Sequence, residues 1–171
     1  MGPGRLASQI YIETGRPVTK EQGMDYMNRY FESYPSVKNF LDKVGKEAVR
    51  KGWSVTPAGR KRWYKQPDKT DPEYNKRIGQ IEREAKNHPI QGTNADAIKY
   101  ALVYISDRLK KEGIDGSITL TVHDEVVTEV REDQAQEWAK IQSKEMVKAG
   151  ELFLKKVKVV SDPFVGDVWE H

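Results

Sequence analysis

The strongest constraint on the fold is a change of hydrophobic period near residue 118. Ile118, Leu120 and Val122 alternate with Thr119, Thr121 and His123, and β-branched residues return at Val126, Val127, Thr128 and Val130. A period of two on both sides of a short polar interruption specifies a β-hairpin, with its tip at or near His123-Asp124-Glu125. Elsewhere the period is helical. Met24, Met27, Phe31, Tyr34, Val37, Leu41, Val44 and Ala48 step by three or four residues, as do Tyr74, Ile78, Ile81 and Ala85, and then Ile98, Leu102, Ile105 and Leu109. Ala135, Trp138, Ile141 and Met146 mark a further helix from about Glu132 to Ala149. Long helices around a small antiparallel sheet make the class α+β.

Punctuation refines this outline. Met1-Gly2-Pro3-Gly4 reads as a loop, with a short element over Arg5 to Glu13. Thr19 with Gln22 three residues later is a capping-box pattern, Pro35 kinks or splits the next helix, and Gly52 ends it. Trp53 to Tyr64 reads as a second hairpin around Thr56-Pro57-Ala58-Gly59. Asp71-Pro72 supplies a cap and first helical residue, His88-Pro89 predicts a break or kink, and Gly113 and Gly116 close that helix. Val157 to Val160 can add a last strand.

Composition limits the functional classes. The 171 residues contain no cysteine, which removes disulfides, thiolate zinc sites and a cysteine nucleophile. No apolar run approaches the ~20 residues of a membrane span, and the N-terminus lacks the order of a secretion signal. A soluble, cytoplasmic protein is expected. The net charge is only +3, yet Lys38 to Lys69 holds ten Lys or Arg against three acids, so a polyanion could dock there. No Walker loop, dinucleotide glycine motif, nucleophile elbow or zinc-spaced histidine set occurs.

Three constellations carry chemistry. Asp124 and Glu125 are adjacent carboxylates at a strand tip, a suitable holder for a hard cation, since Mg²⁺ is bound by one or two carboxylates plus substrate phosphates. A solvated acidic turn is the plain alternative, and His123 is equally a structural hydrogen-bond donor. Arg83, Asn87 and Gln91 are four residues apart, so on an unbroken helix their donors form one stripe able to touch minor-groove acceptors without selecting sequence. An exposed polar face would look the same. Arg60, Lys61 and Arg62 interleave with Trp53, Trp63 and Tyr64, which suits phosphate contact and base stacking, or a basic hairpin whose tryptophans belong to the core.

Five ordered segments resemble family A DNA polymerases, the DNA polymerase I type. Thr121-Val122-His123-Asp124-Glu125-Val126-Val127, preceded by Asn87-His88-Pro89-Ile90-Gln91-Gly92-Thr93-Asn94-Ala95-Asp96, is similar to the closing blocks of that family. Tyr30-Phe31-Glu32-Ser33-Tyr34-Pro35-Ser36-Val37 and Thr56-Pro57-Ala58-Gly59-Arg60-Lys61-Arg62 resemble segments that precede them, and Gly166-Asp167-Val168-Trp169-Glu170-His171 resembles the C-terminal ending. The resemblance implies a helical segment from the end of the fingers over 1–52. Over 53–171 it implies a palm portion with basic hairpin, kinked helix, carboxylate hairpin and C-terminal strand, its helices packed on a small antiparallel palm sheet. It further implies that Asp124 is a metal-binding aspartate with Glu125 supporting it, that His123 lies near the primer terminus, and that Arg83, Asn87 and Gln91 contact the primer-template; Arg60 and Arg62 are expected on DNA from their charge alone. The implied cofactor is Mg²⁺, two ions in a complete site, and the implied substrate is a deoxynucleoside triphosphate.

The departures from the family pattern matter as much. The first palm aspartate, in a motif beginning Asp-Tyr-Ser, has no counterpart: Asp25-Tyr26-Met27 lies on a helix without the later residues. The nucleotide-binding fingers helix is missing, and Met1-Gly2-Pro3-Gly4-Arg5-Leu6-Ala7 resembles the family segment immediately C-terminal to that helix. The expectation is therefore the C-terminal subunit of a split, phage-encoded polymerase, or a fragment or intein-disrupted product. It should be inactive without an N-terminal chain carrying the other aspartate, and an apolar face should be exposed where that chain belongs. The alternative is a non-catalytic duplex DNA-binding module.

Overall fold

The computed structural model describes residues 2–169; Met1, and Glu170 and His171 at the end of the C-terminal motif, lie outside the described residues. Local chemistry sets the element boundaries. Pro3 opens α1 (Pro3–Thr14), and Gly15 ends it in the left-handed conformation at φ 69°. Thr19 and Gln22 form the reciprocal capping box that starts α2 (Lys20–Ser33). Tyr34-Pro35 divides α2 from α3 (Pro35–Lys51), which Gly52 terminates at φ 79°. β1 (Trp53–Val55) and β2 (Lys61–Trp63) pair antiparallel, with Trp53 opposite Trp63, Ser54 opposite Arg62 and Val55 opposite Lys61.

α4 (Tyr74–Glu112) is a single helix of 39 residues, about 58 Å at 1.5 Å per residue. That length exceeds the width of a small domain, so one element serves two cores. Near its start, Tyr64, Ile81 and Ala85 pack with Ala48 of α3, a core that draws on both sides of residue 52. Toward its end, Ala101, Ile105 and Leu109 pack with Val126, Trp138 and Ala149. The second core joins β3 (Gly116–Val122), β4 (Glu125–Val130) and α5 (Glu132–Gly150). Trp138 is buried and donates through Nε1 to Thr128 Oγ1 at 2.8 Å, while the Gln142 amide donates to the Val126 carbonyl at 2.6 Å. These bonds fasten β4 to α5 and fix the base of the carboxylate hairpin.

The fold has the expected class, helix-rich with small antiparallel sheets, each sheet a two-stranded ribbon. Several finer expectations fail. α1 begins at Pro3, within the segment read as a loop. Asp71 does not cap α4; its carboxylate accepts from the Glu73 amide and its carbonyl from the Tyr74 amide, so a turn forms first and the helix starts at Tyr74. Of the break or kink expected at His88-Pro89, the break does not occur, since α4 runs on through Pro89. The proline removes one backbone donor, and the Thr93 hydroxyl donates to the Pro89 carbonyl one turn later while packing on both sides holds the helix. Residues 157–160 form no strand. They find no ladder partner among the described residues; Val159 packs on Gly150 instead, and the Ser161 carbonyl accepts from Ser143 Oγ at 2.7 Å. No helix among the described residues is long and apolar enough to cross a membrane.

Candidate nucleic-acid interface

A continuous α4 carries two adjacent stripes at four-residue spacing. Arg83, Asn87 and Gln91 are exposed, while His88, Gly92 and Asp96 are buried. The buried stripe faces the β1–β2 hairpin, because alternation turns Ser54 and Arg62 toward α4. Ser54 Oγ lies 2.7 Å from both His88 Nδ1 and the Tyr64 hydroxyl, a chain of three side chains sealed from solvent. Asp96 accepts from Thr56 Oγ1 at 2.6 Å and from Arg60 Nε at 2.8 Å. Arg60 Nη2 also donates to the Gly92 carbonyl at 2.9 Å, and Arg62 Nη2 bonds Glu84 at 2.6 Å. The hairpin is thus held to the helix by paired polar groups.

Gly92 makes this approach possible. A Cβ there would lie 2.5 Å from Thr56 Cγ2, closer than atoms can stand, so the hairpin reaches its position only over a glycine.

The result is an open depression of about 440 Å³ between hairpin and helix. Arg60 and Arg62 form one wall, Arg83, Asn87 and Gln91 the other, and Glu84, His88, Gly92 and Ala95 complete it. Residues about thirty positions apart in sequence thereby share one surface of cations and amide donors, suited to an anionic ligand. The charges leave a signature on the buried groups. Burial, reinforced by Arg60 and Arg62, holds His88 below its ordinary pKa against the opposing pull of Asp96. For Asp96, burial alone would raise the pKa, but the hydrogen bonds from Thr56 and Arg60 and the charges of Arg60 and Lys99 outweigh it and hold the carboxyl low.

The residues of the second constellation are not among those lining this depression. Val122 pairs with Glu125, so His123 and Asp124 alone form the turn between β3 and β4. His123 adopts φ 51°, the left-handed conformation a two-residue turn demands, and both turn residues are exposed. Asp124 projects from a rigid ribbon into solvent. Glu125, half-buried, accepts from Trp169 Nε1 at 3.2 Å, which brings the C-terminal segment back to the turn. Among the described residues no three His, Asp or Glu side chains gather as a metal-binding group; Asp124 and Glu125 are two adjacent carboxylates at the turn. Their oxygen chemistry fits a hard cation that takes its remaining ligands from water and phosphate.

That Ser54, Thr56, His88, Gly92 and Asp96 fasten the hairpin to α4 was not legible, although all but Ser54 lie within segments that carry the family resemblance. Their signal was the four-residue spacing of His88, Gly92 and Asp96, which repeats the Arg83, Asn87, Gln91 stripe on the neighbouring face. A search for apolar periodicity passes over a buried stripe made of polar residues and glycine.

Comparisons with known proteins point to one family. The chain is 34% identical over 152 residues to DNA polymerase I of Geobacillus stearothermophilus, covering 89% of this chain and 17% of the relative. It is 34% identical over 162 residues to DNA polymerase I of Streptococcus pneumoniae, and 31% identical over 166 residues to that of Aquifex aeolicus, covering 95% and 96% of this chain but 18% and 26% of those proteins. The chain therefore spans about a quarter or less of the length of these curated relatives. A solved structure, the POL domain of Pol1 from M. smegmatis in complex with DNA primer-template and dNTP, superimposes with TM-score 0.72 at 30% identity, covering 86% of this chain and 24% of that one. With the family model for DNA polymerase family A matching residues 1–171, the donor-lined groove and the carboxylate turn sit in a chain that belongs to DNA polymerase family A.

Proposed function

We propose that this chain supplies part of the centre of a template-directed DNA polymerase, bringing primer-template contacts and a metal-binding aspartate, and that it needs the first palm aspartate and the fingers helix, which these 171 residues do not include, for activity. The observation that carries the proposal is a groove lined by Arg60, Arg62, Arg83, Asn87 and Gln91 in a chain that also presents two adjacent carboxylates, Asp124 and Glu125, at a hairpin turn. Solved in complex with primer-template and dNTP, the M. smegmatis domain supports those partners here.

In this reading Arg60 and Arg62 approach phosphates, and Arg83, Asn87 and Gln91 approach the minor groove, Gln91 offering donors to acceptors that every base pair presents. His123 stands beside the primer end. Asp124 is the carboxylate that holds metal, and Glu125 supports it. Magnesium, when bound, lowers the charge cost at the attacking and leaving oxygens of nucleotidyl transfer. The protein's own contribution is placement: the β3–β4 ladder and the Trp138, Thr128 and Gln142 bonds hold the turn rigid, and such reactions depend mainly on positioning and electrostatics.

Primer extension tests the proposal. The 171-residue chain alone is expected to extend no primer, and to do so once a chain bearing the missing aspartate and fingers helix is added. Asp124→Ala should abolish the reconstituted activity while duplex affinity stays within about threefold, since Asp124 is not among the residues lining the groove. Extension by the purified chain alone, or full reconstituted activity with Asp124→Ala, would overturn it. The reading as a bare DNA-binding module predicts duplex binding with no dependence on Asp124 in any assay.

A further inference from the structure

The β1–β2 hairpin has a second face. Ser54 and Arg62 point to α4, so strand alternation turns Trp53, Val55, Lys61 and Trp63 the other way. On that outer face Trp63 is 69% exposed, an unusual state for the largest side chain in proteins. Its ring centroid lies 6.2 Å from that of Trp53, tilted by 56°. Lys61 Nζ sits 4.5 Å from the Trp53 ring centroid and 5.8 Å from that of Trp63, and Lys51 Nζ lies 5.4 Å from Trp53. Glu47 bonds Lys51 at 2.8 Å, and Lys61 makes no ion pair among the described residues.

We propose that this outer face is a binding site for single-stranded nucleic acid, with an unpaired base stacked on Trp63 and its flanking phosphates beside Lys61 and Lys51. Charge complementarity selects the occupant. An apolar protein partner would have to desolvate two lysines against the tryptophan pair, whereas a single strand brings a π-face for the ring and anions for the ammonium groups. The segment that carries the face is also the most basic in the chain. Duplex DNA is a poor occupant because its bases are already stacked. The two faces of one hairpin thus divide the work, paired nucleic acid toward α4 and unpaired nucleic acid outward, and the outer site stands independently of the metal-site reading.

Fluorescence anisotropy of a labelled twelve-residue oligodeoxythymidylate, titrated with the intact chain at low salt, tests this. Trp63→Ala should weaken binding about tenfold or more, and Trp63→Tyr should restore it to within about threefold of the unsubstituted chain. Lys61→Glu, which alters an exposed residue only, should weaken it as well. Gln91→Ala should leave single-strand binding within about twofold while weakening binding of a blunt duplex. The proposal fails if the unsubstituted chain does not bind the oligonucleotide, or if both Trp63→Ala and Lys61→Glu bind it as well as the unsubstituted chain. It fails equally if Trp63→Ala weakens duplex and single strand alike, or if sedimentation shows that Trp63 instead holds two copies of the chain together.

Discussion

At His88, burial and charge act together: the ring is enclosed by Ser54 and Tyr64, and Arg60 and Arg62 add positive potential. Its neutral form is therefore the folded form, with a pKa below the ordinary 6.5. This fixes the sign of the linkage. The unfolded chain takes up the proton first as pH falls, so the stability His88 contributes is complete above about pH 6.5 and declines between there and its lowered folded value. Denaturant unfolding at a series of pH values should show stability falling by up to about 1.4 kcal/mol per pH unit in that window, a loss missing from His88→Gln. Parallel curves for the two proteins would contradict it. Asp96 behaves in the same sense at lower pH, its contribution complete above the ordinary carboxylate pKa and lost as pH falls through its lowered value. Asp96→Ala strips Thr56 and Arg60 of their acceptor and should cost about 2 kcal/mol in the same assay.

Among the elements, α4 carries the largest consequence. Its length makes it the shared wall of both cores, and the groove exists because the β1–β2 hairpin lies across it at Gly92. Gly92→Ala places a methyl group against Thr56 and should lift the hairpin, lowering stability by about 1–3 kcal/mol and duplex affinity with it. Equilibrium unfolding and an anisotropy titration read the two effects; unchanged values in both would show that the hairpin position is not set there. Element boundaries were legible wherever a side chain acts on its own neighbours: the Thr19 and Gln22 box, the Tyr34-Pro35 break, and Gly52 and Gly113 as left-handed stops. They failed where a distant partner decides. Pro89 sits in a helix that packing on both sides keeps whole, and the valines at 157–160 have strand propensity without an adjacent edge to pair with.

For the whole molecule the surface is the notable property. Tyr11, Ile12, Tyr30, Phe40, Phe164 and Val168 are each about half exposed or more, and Leu6, Tyr26, Met27, Tyr30 and Phe31 line an apolar depression on α1 and α2. The contiguous apolar depression on α1 and α2 is a surface that associates in water. Sedimentation of the purified chain should therefore show species heavier than 19.6 kDa as concentration rises, and Tyr30→Glu should shift them toward the monomer. A single 19.6 kDa species at high micromolar concentration would refute this.

From the sequence alone came the class, the order of elements as far as α5, the carboxylate tip and the exposed donor stripe, because each depends on interactions within a few residues along the chain. Only the tertiary structure decided that Arg60 and Arg62 face Arg83, Asn87 and Gln91, that a buried polar stripe fastens the hairpin, and that Lys61 and Trp63 turn outward. Those outcomes depend on contacts between residues far apart in the chain. Such contacts form only once the helix and hairpin have closed against each other, and spacing along one segment carries no record of what will face it across a groove.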